Sequence, residues 1–194
     1  MKYTLLIVLL SLCNFSYAGN QQYEKLKEET RQMMSRMVSD QPPKFSSFSS
    51  LEDEKLWVES MQTHLKKYIK SEEDGKLLLK AVHYEAIRAG LTPELILGLI
   101  QVESGFKKYA YSSVGARGYM QVMPFWTNAI GDQSHDLFHL RTNLRYGCTI
   151  LRHYLDIEKG NLFRALGRYN GSLGKAQYPN AVSYAMNQFI KTKN

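Results

Sequence analysis

One acidic residue, Glu103, closes an apolar run, and the chain after it carries Tyr, Ser, Gly and Gln side chains as far as Met123. The run before it starts with Thr92 at a helix N-cap, Pro93 at the first helical position, and Leu91 with Ile96 as a hydrophobic staple. Glu103 therefore falls in the last turn of the helix. There the negative end of the helix dipole and the apolar neighbours disfavour a carboxylate and raise its pKa towards that of a usable general acid. A lone glutamate at a helix end is ordinarily solvated, so Glu103 needs partners before it signifies chemistry. Other candidates are weaker. His135 and His139 are four apart, a spacing that suits a metal, but the residues between them are not those of H-E-x-x-H and no third ligand is evident. Both are expected to be structural. Cys148 lies in an apolar helical stretch beside Ile150 and Leu151, the setting of a small buried hydrophobe.

The elements that must position Glu103 are helical. A helix is expected over about residues 76–89 with Gly90 at its C′ position, followed by the helix that Thr92 opens. Residues 107–123 lack helical periodicity and read as loop with short extended pieces. Thr142 opens a further helix ending near Gly160. Asn161 then caps a short one whose inner face is Leu162, Ala165, Leu166 and Tyr169, and a last helix uses Val182, Ala185, Met186, Phe189 and Ile190. Two amphipathic helices precede this set. One lies within residues 21–38 with Tyr23, Leu26, Met33 and Met37 on its apolar side, the other shows Leu56, Trp57, Met61, Leu65 and Tyr68. A Pro-Pro and Ser-rich stretch from Gln41 to Ser50 reads as a linker, with Ser49 and Glu52 as a capping box. Apolar stripes are ordinarily core, so these helices are expected to pack on the rest; docking on another protein is the alternative. The fold class is mainly α: a helical domain with a short irregular, β-like loop region, preceded by N-terminal helices.

Residues 1–18 read as a signal peptide, with Lys2 as the positive start, residues 5–12 as the apolar core and Ser16-Tyr17-Ala18 as the cleavage site. Leu12 stands before Cys13 where a lipoprotein signal wants a small residue, so no lipid anchor is expected. The expected division is thus 1–18 signal, 19–74 N-terminal helical segment and linker, and 75–194 catalytic region. The chain after cleavage keeps one cysteine and cannot form an internal disulfide. No further apolar run approaches the ~20 residues of a membrane span, so the product is not expected to be an integral membrane protein. A formal net charge of +7 points to an anionic partner. No nucleic-acid module is recognisable, and an exported, periplasmic or secreted address turns attention to a carboxylate-bearing polymer such as bacterial cell wall.

Glu103-Ser104-Gly105-Phe106, Gly118-Tyr119-Met120-Gln121 and Tyr169-Asn170-Gly171, in this order and spacing, resemble the three motifs of the soluble lytic transglycosylase (SLT) domain family, whose fold is like goose-type lysozyme. The resemblance covers roughly Leu77 to Ile190. It implies cleavage of the β-1,4 bond between N-acetylmuramic acid and N-acetylglucosamine in peptidoglycan, leaving 1,6-anhydromuramic ends, with no metal or nucleotide cofactor. By motif position it implies that Glu103 is the catalytic acid/base and that Ser112, Gln121, Met123, Tyr169 and Asn170 line the cleft. Gly167 and Arg168 stand where the family often has alanines. Asn180 stands where many members place a glutamate that helps hold the product.

The residues carry their own argument beside the family. Glycosidases ordinarily flank the bond with two carboxylates, yet no Asp or Glu occurs between Glu103 and Asp132. Asp132 and Asp136 are the nearest acids that folding could supply. The simpler mechanism is substrate assistance, in which the substrate's N-acetyl oxygen steadies the cation while Glu103 serves first as acid and then as base. Tyr169 is expected to donate its hydroxyl to Glu103. Ser112, Gln121 and Asn170 offer hydrogen bonds suited to sugar amides and hydroxyls, and Phe106, Tyr119, Phe125 and Trp126 are either sugar-stacking faces or core. The rivals are a muramidase of the same fold, which admits water, and a wall-binding scaffold without turnover, serving an envelope-spanning machine through its N-terminal helices.

Overall fold

The computed structural model describes residues 21–39 and 47–191. The expected signal segment and the Pro42-Pro43 part of the expected linker lie outside the described residues. Among the described residues the chain forms α1 (Glu28–Ser39), α2 (Leu51–Leu65), α3 (Glu72–Arg88), α4 (Pro93–Ser104), α5 (Phe125–Ile130), α6 (Leu140–Ile157), α7 (Leu162–Asn170) and α8 (Gln177–Lys191). The mainly helical class is as the periodicity indicates. Between α4 and α5 the only regular pairing is a pair of isolated antiparallel bridges, Tyr111 with Arg117 and Arg117 with Val122.

α4 is the axis of the fold. It is buried from Leu95 through Ile100 without interruption, which is possible only for a helix covered on all sides. Thr92 occupies the N-cap and Pro93 the first turn as expected, though the Thr92 side chain makes no capping bond. Gly105, in the left-handed region at φ 56°, ends the helix by donating its N–H to the Gln101 carbonyl. α8 crosses α4 at Gly98, where an added Cβ would stand 2.6 Å from the Met186 backbone nitrogen. Glycine is needed there for proximity.

Several boundaries differ from expectation for local reasons. α1 begins at Glu28, not at residue 21, and its buried residues are Met34 and Val38 while Met33 is exposed, so its inward face is turned one residue from that read in the sequence. α2 is capped by Ser50, whose hydroxyl accepts from the Asp53 N–H at 3.0 Å; the Ser49–Glu52 box is not formed. α3 starts earlier, at an N-cap Ser71 that accepts from Asp74 N–H. α6 starts at Leu140 behind an N-cap His139, ahead of Thr142.

The N-terminal helices pack on the remainder. Met34, Val38, Trp57, Met61 and Leu65 belong to the same core as α4 and α6. Arg88 of α3 donates to the Met37 carbonyl at 2.5 Å, and Gln21 accepts from the Trp126 indole at 2.9 Å. The last part of the expected linker is also held: Phe48 stacks on the His83 ring, centroids 3.6 Å apart, and Ser47 bonds His83 at 2.6 Å.

Candidate active site

The site is built where the C-terminal turn of α4 meets α8. Glu103 is only 5% exposed, among apolar side chains of α4 and its neighbours. Its Oε1 accepts from the Tyr178 hydroxyl at 2.5 Å, while its buried Oε2 has no hydrogen-bond partner in the protein. Burial pushes the carboxyl up to about 8, against the smaller opposing pull of the Tyr178 hydrogen bond. Burial and the charge of Glu103 likewise push the Tyr178 phenol well above its ordinary value, so Tyr178 stays a donor. A carboxylic acid that is protonated at neutral pH, oriented through one oxygen and unengaged at the other, is equipped to give up a proton.

Tyr178 takes the place that the sequence assigned to Tyr169. Tyr169 is buried on the inner face of α7, as the spacing indicates, but its hydroxyl donates to the Met120 carbonyl at 2.8 Å and not to Glu103. Its phenol is pushed well above the ordinary value by burial first and by the Glu103 charge second, which places it within electrostatic reach of the carboxyl. Tyr169 thus supports the loop beside Glu103. Ser104 does the same from α4, its hydroxyl 2.7 Å from the Tyr119 carbonyl.

The remaining sequence candidates lie along that loop. The Ser112 hydroxyl accepts from Ala116 N–H at 2.9 Å. Gln121, in the left-handed region at φ 49°, donates from Nε2 to the carbonyls of Ala110 (3.1 Å) and Gly118 (3.0 Å). Both residues hold the loop's own backbone with these atoms. Met123 is half-buried against the core and Asn170 is buried at the end of α7. Asn180 is exposed on α8. Of the aromatic candidates, Phe106, Tyr119 and Trp126 are buried in the core and Phe125 packs against it. Asp132 accepts from Ser134 and Asp136 from Phe138 N–H, each within its own exposed turn. His135 bonds the Tyr146 hydroxyl at 2.7 Å and His139 the Thr142 hydroxyl at 3.1 Å, and Cys148 is buried with its thiol pushed well above its ordinary value by burial.

The transglycosylase SLT domain family matches residues 80–192, more than half of the chain, and the chain belongs to that family. Among curated relatives, the transglycosylase of Enterobacteria phage PRD1 is 33% identical over 88 residues, covering 45% of this chain and 32% of that protein. The membrane-bound lytic murein transglycosylase C of Actinobacillus pleuropneumoniae serotype 5b is 50% identical over 46 residues, covering 24% of this chain and 13% of that protein. An inactive mutant of the lytic transglycosylase Slt from Pseudomonas aeruginosa superposes with a TM-score of 0.45 and 24% identity over 58% of this chain and 21% of that one. The chain spans a third or less of the length of each.

Proposed function

We propose that this protein is an exported peptidoglycan lytic transglycosylase that cleaves the MurNAc-β-1,4-GlcNAc bond and leaves 1,6-anhydromuramic ends. The observation that carries this reading is the Glu103 carboxyl, held by Tyr178 through one oxygen and unpartnered at the other, with a pKa of about 8. Family membership and relatives named as transglycosylases support the reaction class. In the first step Glu103 gives its proton to the glycosidic oxygen, the C1–O bond breaks, and the substrate's N-acetyl oxygen stabilises the cation at C1. In the second, the Glu103 carboxylate takes the proton of the muramyl 6-hydroxyl, and O6 bonds to C1. No water enters, and Glu103 ends in the protonated form in which it began. Tyr178 orients the carboxyl in the first step and stabilises its anion between the two. Ser112, Gln121, Met123, Tyr169 and Asn170 form and support the cleft wall in this reading.

The signal-like residues 1–18 and the charge of +7 support a periplasmic or secreted address and an anionic polymer as substrate. No helix among the described residues is long and apolar enough to cross a membrane. Mass analysis of muropeptides released from purified wall tests the reaction. Products one water lighter than hydrolysis products are expected; reducible muramic ends as the main product would identify a muramidase, and no release a scaffold without turnover.

A further inference from the structure

The loop after Glu103 presents two large aromatic rings to solvent. Tyr109 is 70% exposed and Tyr111 65%. Tyr109 is the third residue of a turn that the Ala110 N–H closes on the Lys107 carbonyl (3.2 Å), and Tyr111 follows where the chain begins to pair; the Ala110 carbonyl between them accepts from Gly118 N–H (2.9 Å) and Gln121 Nε2 (3.1 Å). Both tyrosine rings reach solvent while Ser112 is buried.

A cation stands beside each ring. The bonds Ser112 N–H to Ala116 O and Gly118 N–H to Ala110 O bracket the Tyr111–Arg117 bridge, making it the close, non-hydrogen-bonded kind of antiparallel pair. Arg117 thus stands beside Tyr111; it is half-buried, and its Nε is enclosed without a hydrogen-bond partner. Lys108 Nζ lies 5.1 Å above the Tyr109 ring, whose other neighbour is the half-buried Phe138 ring at 6.0 Å. Exposed phenol rings offer flat apolar faces to the C–H faces of pyranose rings, and adjacent cations offer partners to carboxylates.

Resting on the proposed function, we infer that Tyr109 and Tyr111, with Lys108 and Arg117, form an accessory platform for the peptidoglycan strand. The rings stack sugars beyond the two joined by the cleaved bond, and the cations pair with carboxylates of the peptide stems. The platform sits on the loop between α4, whose last turn holds Glu103, and α5.

The test uses the full chain and two readouts, one independent of turnover. In the Glu103→Gln background, adding Tyr109→Ala and Tyr111→Ala together is expected to weaken co-sedimentation with purified sacculi roughly 10-fold. Tyr109→Phe with Tyr111→Phe should restore it, because the rings remain. Lys108→Gln with Arg117→Gln should weaken binding to intact strands more than to strands stripped of stems by an amidase. With Glu103 in place, the double alanine variant should raise KM on long strands at least fivefold more than on a tetrasaccharide, at unchanged thermal stability. Equal losses on both substrates, undiminished binding to sacculi, or a loss seen only with a single-stranded oligonucleotide would each overturn the platform. If wild type shows no turnover yet the alanine variant loses binding, the catalytic reading fails and the platform stands.

Discussion

At the scale of single residues, the buried carboxyl of Glu103 couples catalysis to stability. In the unfolded chain it ionises near 4.5, in the folded protein near 8. Below about 4.5 both states are protonated and the site costs nothing. As pH rises the unfolded chain sheds its proton first, so stability falls through this window and levels off above 8, by a total on the order of 5 kcal/mol. Glu103→Gln removes the titration while keeping the shape. Its melting temperature should therefore match wild type at pH 4 and exceed it at pH 8, while turnover drops by roughly 10²–10⁴-fold or more because both proton transfers are lost. An equal melting difference at both pH values would mean that the folded carboxyl is not held protonated. Tyr178→Phe gives a separate expectation. Its hydrogen bond favours the charged carboxylate, so its loss should move the alkaline limb of kcat/KM upwards and slow turnover by roughly 2- to 13-fold. A pH profile with an unmoved limb would reduce Tyr178 to packing. Tyr169 was legible in the sequence as an inward aromatic from its spacing on one helix. That Tyr178 is the tyrosine touching Glu103 depends on where α8 crosses α4, which no local pattern encodes.

That crossing sets the site at the scale of elements. α8 approaches α4 at Gly98 so closely that a methyl group would meet the Met186 backbone, which cannot give way as a flexible side chain can. Gly98→Ala should force the helices apart at a cost of about 1–3 kcal/mol, and because Tyr178 begins the same helix, its contact with Glu103 should loosen too. The check is a lowered melting temperature together with an upward-shifted alkaline limb like that of Tyr178→Phe; a lower melting temperature with an unchanged profile would uncouple the crossing from the site. The helices themselves were legible where caps and stripes agree. Asn161 accepts from Arg164 N–H and opens α7, Gly90 follows α3, and the irregular loop lies where periodicity fails. Two signals misled. Ser49 with Glu52 has the composition of a capping box, yet the cap is Ser50, an equivalent side chain one residue on, which accepts from Asp53 N–H. α5 spans six residues, too few for a 3.6-residue period to show.

The whole molecule decides whether the N-terminal helices are accessories or part of the core. The Pro-Pro and Ser-rich stretch suggests a linker, and a linker would let residues 19–50 be removed from a chain that still folds and acts. The family match likewise begins only at residue 80. The contacts argue otherwise. Met34 is fully buried among core side chains, Gln21 accepts the Trp126 indole N–H, and the Met37 carbonyl accepts from Arg88, which also pairs with the buried Glu85. Removing residues 19–50 would strip these partners together, leaving the indole and the guanidinium without those bonds and a cleft where Met34 and Val38 had been. Met34→Ala alone should cost roughly 2–5 kcal/mol, as for other large apolar side chains cut back in a core. The shortened chain should therefore melt well below the full one or fail to stay soluble, with activity lost in step with folded protein. Both chains can be compared by thermal denaturation and by release of muropeptides. A soluble chain starting at Leu51, with the full-length melting temperature and full turnover, would show that α1 only decorates a core closed by α2 to α8.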